Sequence, residues 1–253
     1  MRTSWRILMV VANPFVTPAG HRVGFWAAEL THPHFEFTRS GCEVTVASPE
    51  GGSVEFDALS DPRHPSGHSA HDVLTLGYLQ TPWFIRLISE TPAIDACQPK
   101  DFDAIFIAGG SSPMFTFAKA TALQRIFLEF HNARKVVSTL CHGGALLLFL
   151  KMQDGSPFVS HRRFTSSSNA KEDIIAQKVG PNYFPFRIED EAIRQGAHFV
   201  ATPDPLDPFA VRDKNLVTGQ QEYSGFETAR LVLEVLHDAR DGHSIPTTPG
   251  TQS

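Results

Sequence analysis

Short runs of aliphatic and β-branched residues alternate along the chain with longer segments in which apolar residues recur every three or four positions. Short continuous runs predict strands, and the three-to-four spacing predicts helices with one apolar face. The predicted strands are 6–12, 43–48, 103–108, 135–140, 198–202, 209–212 and 216–218. The predicted helices are 20–30, 81–89, 121–132, 142–152 and 223–237. Pro33 is expected to interrupt the first helix, with a further turn after it ended by Gly41.

This alternation predicts an α/β fold with a doubly wound, mostly parallel sheet and helices on both faces. Residues 1–240 are expected to form a single domain. Residues 50–100, between the second and third strands, are rich in Pro, Gly, His and Ser and read as an inserted lid segment. The aromatic residues Trp83 and Phe84 are expected to fold over a site opening. Residues 241–253 are polar and are predicted to be a disordered tail.

Composition narrows the function classes. The chain is 42% hydrophobic and 19% charged, with a net charge of −5, so no basic surplus attracts nucleic acid. No apolar run approaches the length of a membrane span. The three cysteines are odd in number and widely spaced, which disfavours a disulfide framework and favours a reducing, cytoplasmic location. Cys42 and Cys97 are expected to be structural.

The segment VVSTLCHGGALLL (136–148) carries the clearest chemistry. A strand runs directly into Cys141 and then into a helix, with Gly143 and Gly144 at the junction, as in a nucleophile elbow. A helix N-terminus facing the sulfur favours thiolate, so the pKa of Cys141 is expected to lie below that of a free thiol. The same N–H groups, including that of Gly143, are candidate oxyanion donors. His142 is a candidate acid–base beside the nucleophile.

A second glycine-containing loop follows the third predicted strand. Gly110 and Ser111 lie in the segment AGGSSP (108–113), which is expected at the same sheet edge as Cys141. They are candidate oxyanion or substrate-binding residues, although a plain turn explains the segment equally well. The glycine spacing excludes a dinucleotide fingerprint.

Several segments, taken in order, resemble the ThiJ/PfpI superfamily, whose fold is flavodoxin-like and similar to class I glutamine amidotransferases. They are GFWAAELTHP (24–33), VASPEGG (46–52), the Gly109–Gly110 loop, the Cys141–Gly143 elbow and LVTGQ (216–220). The resemblance covers residues 5–237 and is nearest to the glyoxalase III and small heat-shock chaperone branch. That branch also carries an insertion after its second strand.

The resemblance implies catalytic roles for four residues. Cys141 is the nucleophile, His142 its acid–base, and Glu29 a protonated contact of the sulfur. Glu172 matches the carboxylate that orients the histidine, with the adjacent Asp173 as the alternative. The family also implies a small-molecule substrate, no cofactor, and a homodimer as a candidate assembly; nucleic acid and membrane are not expected as partners.

The sequence departs from the branch at positions expected to shape the pocket: Ser111, Ser112, Ser166, Ser167 and the run Gln221 to Ser224. The machinery for adding a thiolate to an electrophilic carbon is therefore expected to be retained while substrate contacts differ. This predicts weak turnover of methylglyoxal and better turnover of a larger or more hydrophobic substrate.

Three functional hypotheses follow. The first is a cofactor-independent cysteine enzyme of the glyoxalase III type, converting a 2-oxoaldehyde to a 2-hydroxy acid. The second is isonitrile hydration or small-molecule amide or ester hydrolysis on the same scaffold. The third is a stress chaperone or redox sensor that uses Cys141. His64, His68 and His71 have spacing that would suit a metal, but solvated loop residues are the favoured interpretation, so no metal site is predicted.

Overall fold

The computed structural model describes residues 4–240. A six-stranded sheet forms its centre, built from β1 (Arg6–Val10), β4 (Glu43–Ala47), β5 (Ala104–Ile107), β6 (Val136–Leu140), β9 (Ala210–Asp213) and β10 (Leu216–Gly219). The strand order is β4-β1-β5-β6-β10-β9, and all pairings are parallel except that of β9 with β10. The mostly parallel, doubly wound sheet predicted from the sequence is confirmed.

Two short two-stranded sheets lie outside this one. They pair β2 (Phe15–Val16) with β3 (Arg22–Val23), and β7 (Arg163–Phe164) with β8 (His198–Phe199). Of the strand predicted at 198–202, only His198–Phe199 is a strand. It pairs with β7 in a small separate sheet and does not belong to the central one. The predicted helix at 20–30 is also wrong at its start, since residues 22–23 form β3.

The α-helices cover both faces of the sheet. They are α1 (Ala27–Arg39), α2 (Val73–Leu79), α3 (Pro82–Ser89), α4 (Pro113–Thr116), α5 (Thr121–Asn132), α6 (Ala145–Phe149), α7 (Asn169–Val179), α8 (Ile188–Arg194) and α9 (Gly225–Arg240). One core unites α5 and α6 with one face of the sheet, and the other unites α1 and α9 with the opposite face. The continuous burial of β5 and β6 follows from this double coverage.

Single turns of 3₁₀ helix occur at Ala58–Ser60, Ile94–Ala96, Pro99–Asp101, Cys141–Gly144 and Glu222–Ser224. The predicted helix at 142–152 is therefore split into a 3₁₀ turn and the short α6. Pro33 does not interrupt α1, contrary to the prediction, and the helix continues to Arg39. The predicted tail, 241–253, lies outside the described residues.

The helical part of the insertion, residues 73–89, packs along α1. Thr75 Oγ1 lies 2.6 Å from Thr31 Oγ1, and His34 contacts both Tyr78 and Trp83. Trp83 is half exposed beside α1, while Phe84 is buried in the core. The expectation that these two aromatic residues cover the site opening is wrong, because the part of the insertion nearest the site is 57–59 together with His68. Within the described range, every helix is too short or too polar to cross a bilayer.

Candidate active site

Cys141 stands at the point where β6 ends, as the elbow pattern predicts. Its φ of 51° places it in the left-handed region that non-glycine residues seldom adopt. Such strain persists where surrounding packing enforces it, and it is frequent at reactive residues. Ser166 Oγ donates a 2.5 Å hydrogen bond to the Cys141 carbonyl oxygen and so holds this turn from below.

His142 and Glu172 form a hydrogen-bonded relay that begins at the sulfur. Cys141 Sγ lies 3.5 Å from His142 Nδ1, and His142 Nε2 lies 2.7 Å from Glu172 Oε1. Ser167 Oγ donates a 2.6 Å hydrogen bond to the same carboxylate oxygen. Burial alone would raise the pKa of Glu172, but His142 and Ser167 hold it below its ordinary value. An ionised Glu172 accepts a hydrogen bond from the Nε2–H of His142. The Nδ1 atom of the ring, which faces the thiol, is then the proton acceptor.

Asp173 takes no part in this relay. Its carboxylate is exposed and accepts a 2.6 Å hydrogen bond from Arg187. Of the two acidic residues considered from the sequence, Glu172 is therefore the one that contacts His142. The neighbouring residues diverge because successive positions on a helix point about 100° apart.

Glu29 reaches the sulfur from α1. Its side chain lines the same cavity as Cys141, and its Oε2 accepts a 2.8 Å hydrogen bond from the Gly109 N–H. The side chain is 1% exposed. Burial, followed by the Glu222 carboxylate, raises the pKa of Glu29 well above its ordinary value. Glu29 is thus buried at the cavity beside Cys141 rather than pointing into solvent, and its hydrogen bond to the sulfur stays a prediction.

The pKa of Cys141 differs from the sequence-based expectation. Burial first, and then the nearby Glu29 and Glu222, raise it well above the value of a free thiol; Lys171 and the His142 N–H act in the opposite direction. The lowered pKa expected from the helix terminus is wrong, because the sequence reveals neither the burial of the thiol nor the carboxyl groups beside it. The Cys141–Glu29 pair therefore holds protons at rest rather than a thiolate beside a carboxylate.

The Gly110–Ser111 loop is fixed by a buried aspartate from the insertion. Asp57 accepts hydrogen bonds from the N–H groups of Gly24 (2.9 Å) and Ser111 (2.7 Å). Burial raises the pKa of Asp57 to about 6. The Ser111 N–H is thus occupied and is not an oxyanion donor, although the residue does line the cavity. With the Gly109 N–H bound by Glu29, that of Gly110 is the candidate donor in this loop.

Gly143 serves packing rather than substrate contact. It does not line the cavity, and a Cβ there would lie 2.6 Å from the Ile107 carbonyl oxygen. Gly110 does line it, with a φ of 105° and no room for a Cβ beside Trp26. The predicted role of the Gly143 N–H as an oxyanion donor stays a prediction.

An active-site cavity of about 280 Å³ opens above these groups. Cys141, His142 and Glu29 lie in its lining, and its walls include Trp26, Leu59, Ile174, Ile175 and Phe184. Ser112, Ser166 and Ser167 are fully buried, bonded to backbone or to Glu172, and do not face it. Tyr223 lines a neighbouring groove. Of the serine and tyrosine differences expected to reshape the pocket, only Ser111 reaches it.

Sequence reasoning missed an ion pair in the cavity wall. Lys171 Nζ donates a 2.6 Å hydrogen bond to Glu222 Oε1, and both side chains are more than nine-tenths buried. Lys171 also lies over the Tyr223 ring, 6.0 Å from its centroid. The adjacency of Lys171 to Glu172 was the one available signal, because the partner lies 51 residues further along the chain.

No group of three or more metal-ligating side chains occurs within residues 4–240. The three histidines of the insertion each have a different partner. His64 contacts Ser66, His68 contacts Lys178, and His71 lies beside Tyr223.

Residues 86–235, more than half of the chain, match the DJ-1/PfpI family. The chain belongs to the DJ-1/PfpI family. A probable glutathione-independent glyoxalase of Schizosaccharomyces pombe, hsp3103, is 28% identical over 262 residues, covering 93% of this chain and all of that protein. This DJ-1/PfpI chain also shares its fold with glyoxalase III of Candida albicans, with a TM-score of 0.76 and 25% identity over 91% of this chain and 97% of that one.

A further DJ-1/PfpI fold neighbour is the 24 kDa rapid encystment protein of Francisella tularensis. Its TM-score is 0.81 at 22% identity, covering 92% of this chain and 99% of that chain. At this identity the likeness concerns the fold alone. It extends over nearly the whole of both chains, so the arrangement of sheet and helices is shared beyond the glyoxalase relatives.

Proposed function

We propose that this protein is a glutathione-independent glyoxalase that converts a 2-oxoaldehyde to a 2-hydroxy acid through a covalent intermediate on Cys141. The observation that carries the proposal is the arrangement at the cavity floor, where one thiol contacts a histidine–carboxylate relay and shares the lining with Glu29, a buried carboxyl group of raised pKa. Relatives named as glyoxalases, alike over most of their length, support the same reaction.

The first step forms a carbon–sulfur bond. His142 Nδ1 accepts the thiol proton while Glu172 stabilises the resulting imidazolium. The sulfur adds to the aldehyde carbon, and the alkoxide that forms takes the proton back from His142. The product is a hemithioacetal, and His142 is neutral again. A thiol with a raised pKa is suited to this coupled transfer because its proton leaves as the substrate arrives.

The second step moves hydrogen between adjacent carbons. Neutral His142 removes the proton from the former aldehyde carbon, while Glu29 gives its proton to the ketone oxygen, producing an enediol. His142 then protonates the second carbon and Glu29 recovers a proton from the first hydroxyl group. The aldehyde carbon is oxidised to a thioester as the ketone carbon is reduced to an alcohol. Water hydrolyses the thioester, releasing the hydroxy acid and the Cys141 thiol.

This assignment explains why the carboxylic acid is held protonated. An ionised Glu29 beside the sulfur has no proton to give to the ketone oxygen. A buried neutral acid already holds one and can donate it without first taking a proton from water. Hydrolysis of an amide or ester places greater demand on an oxyanion hole, and the N–H groups on both sides of Gly110 are already bound by Glu29 and Asp57. The geometry therefore favours the glyoxalase reaction over the hydrolase alternatives.

The direct test is turnover of 2-oxoaldehydes without glutathione. We expect the wild type to form the 2-hydroxy acid and Cys141→Ala to lose activity by about 10³-fold or more, as on removal of a covalent nucleophile. Cys97→Ala is the matched control, because that thiol lies in the core away from the cavity. Amides, esters and isonitriles are tested in parallel. Faster turnover of any of these than of 2-oxoaldehydes would contradict the proposal.

The cavity volume also bears on substrate size. Its apolar walls, including Trp26 and Phe184, accommodate a group larger than a methyl. We therefore expect a higher kcat/KM for phenylglyoxal than for methylglyoxal. If methylglyoxal is the better substrate, at roughly 10⁴ M⁻¹s⁻¹ or more, the size argument is wrong although the glyoxalase assignment stands.

The proposal includes a cytoplasmic location and a homodimeric state. The three cysteines are free and buried in the described range, as suits a reducing compartment. Fractionation of the native host's cells, and light scattering of the purified protein, test these two points separately.

A further inference from the structure

Building on the proposed glyoxalase activity, we propose that the outer part of the active-site cavity binds an anionic group on the substrate. The preferred substrate is then a 2-oxoaldehyde with an apolar body and a negatively charged group at its far end. The structure assigns Lys178 as the residue that recognises this group.

The first support is the face that α7 presents to the cavity. Lys171, Ile174, Ile175 and Lys178 all line it. Their spacing of three, four and seven residues places them on a single stripe of the helix. The stripe therefore reads cation, apolar, apolar, cation along a length of roughly 10 Å. A ligand lying along it meets an apolar surface between two ammonium groups.

The two lysines differ in what compensates their charge. Lys171 is buried near Cys141 and paired with Glu222 at 2.6 Å. Lys178 is exposed and, among the ion pairs of residues 4–240, has no carboxylate partner. Its Nζ lies 3.3 Å from His68 Nδ1. The outer end of the stripe thus carries a positive charge that remains available to a ligand.

His68 orients this ammonium group without cancelling its charge. Burial, and then the charge of Lys178, lower the pKa of His68. A neutral His68 accepts a hydrogen bond through Nδ1, and its ring meets Trp26 edge-on, 5.8 Å between centroids. The histidine comes from the insertion and Lys178 from α7, so their contact also joins two walls of the cavity.

The arginine in the lining is paired, and two further carboxyl groups lie at the inner end of the cavity. Arg22 is paired with Glu55. Glu29 and Asp57 belong to the Cys141 end, where burial raises the pKa of both. An anionic substrate group therefore meets its least compensated positive charge beside Lys178. The reacting aldehyde then lies toward Cys141 at the inner end.

The test compares two arylglyoxals of nearly equal shape. 4-Carboxyphenylglyoxal is anionic at its far end, and 4-carbamoylphenylglyoxal is its neutral counterpart. We expect kcat/KM of the wild type to favour the carboxylate by about tenfold, as for one charge-assisted hydrogen bond. The preference should fall as salt is raised, because the outer end is solvent-exposed.

Variants locate the effect. In Lys178→Met the ratio of the two kcat/KM values should approach one, and Lys178→Arg should retain most of it. Lys119→Met removes an exposed lysine outside the cavity and should leave the ratio as in the wild type. Because the ratio is taken within each variant, differences in the amount of folded enzyme cancel. A ratio near one in the wild type, or one unchanged in Lys178→Met, overturns the anion subsite while leaving the glyoxalase function intact.

A binding measurement separates the two proposals further. 4-Acetylbenzoate and 4-acetylbenzamide lack the aldehyde, so they report occupancy without turnover. We expect the carboxylate to protect Cys141 from alkylation at lower concentration than the amide, and Lys178→Met to remove the difference. Protection of this kind with no glyoxal turnover would retain the subsite and reject the glyoxalase. Equal protection by both ligands rejects the subsite.

Discussion

At the residue scale, the distinctive property of Cys141 is that it rests as a thiol in a buried, carboxyl-rich environment. Glu29 contributes to this through its contact with the sulfur and its own raised pKa. Because ionising both groups places two negative charges together, loss of the first proton delays loss of the second. The reactivity of the thiol is consequently controlled by a neighbour from a distant helix.

Glu29→Gln should therefore lower the pH at which Cys141 becomes reactive, because a neutral amide cannot repel the thiolate. Rates of alkylation across pH 6–10, read by mass spectrometry, measure this midpoint. Cys141 should be labelled ahead of Cys42 and Cys97, since it alone of the three lines the cavity. A midpoint that rises in Glu29→Gln would show that the two groups do not interact in the way described.

Glu172→Gln should reduce kcat by roughly 10²–10³-fold, within the range for disrupted acid–base catalysis. The amide no longer stabilises the imidazolium and permits the wrong tautomer of His142. Asp173→Asn is the control, because Asp173 lies on the same helix as Glu172 but forms an exposed ion pair with Arg187. This variant should change kcat by less than about twofold. Equal losses in the two variants would indicate general damage to α7.

The elbow pattern was sufficient to predict Cys141 and His142 as neighbours. Glu29 and Glu172 were predicted only through the family resemblance, which left Asp173 as the alternative to Glu172. The sequence was insufficient for Asp57 and for the Lys171–Glu222 pair. Those contacts join residues 33 or more positions apart, and neither partner sits in a recognisable local pattern. Burial of the thiol, followed by the carboxyl groups of Glu29 and Glu222, reverses the pKa shift expected for Cys141.

At the scale of elements, helix α1 shows how packing overrides a local breaker. Pro33 lacks the N–H that would bond to Glu29, which predicts an interruption. The helix continues because Pro33 packs closely against the first residue of α9, Gly225, where an added Cβ would come within 3.2 Å of the proline ring. Helix 121–132 was predicted with its bounds, since its apolar stripe and its packing agree.

The segments at the carboxyl ends of β5 and β6 approach each other closely, which leaves no room for a side chain at Gly109. A Cβ there would lie 2.7 Å from both the His142 nitrogen and the Leu140 carbonyl oxygen, and 2.8 Å from Glu29 Oε2. Gly109→Ala should destabilise the protein by about 1–3 kcal/mol, as overpacking does, and also reduce activity. Urea unfolding measures the first effect.

Gly77→Ala is the matched comparison, within helix α2 and with no atom inside 4 Å of the new Cβ. It should stabilise the protein by up to about 1 kcal/mol through helix propensity. If both variants unfold at the same urea concentration as the wild type, the close approach at Gly109 is not a constraint.

At the scale of the whole molecule, the buried carboxyl groups make stability depend on pH. The folded-state pKa of Glu29 is raised above its unfolded value, so unfolding releases a proton between the two pKa values. Its contribution to stability is greatest below the ordinary pKa of 4.5 and declines as pH rises from there through the folded-state pKa. Within that window the slope is about 1.4 kcal/mol per pH unit for one group.

Glu29→Gln should flatten this decline, because its side-chain oxygen still accepts the Gly109 N–H but carries no charge. Thermal unfolding at pH 5.5 and pH 8 gives the comparison, with the exposed Glu50→Gln as control. If Tm rises between pH 5.5 and pH 8 by the same amount in the wild type and in both variants, that result would contradict a protonated Glu29.

Helix α7 has a consequence for how such an enzyme changes over generations. Glu172 bonds to His142, while Ile174, Ile175 and Lys178 line the cavity. Substitutions at the latter three positions alter what enters without moving the groups that transfer protons. Diversification can therefore proceed along one side of a single helix while selection preserves the other. A combinatorial library confined to 174, 175 and 178 is a compact starting point for redirecting specificity in the laboratory.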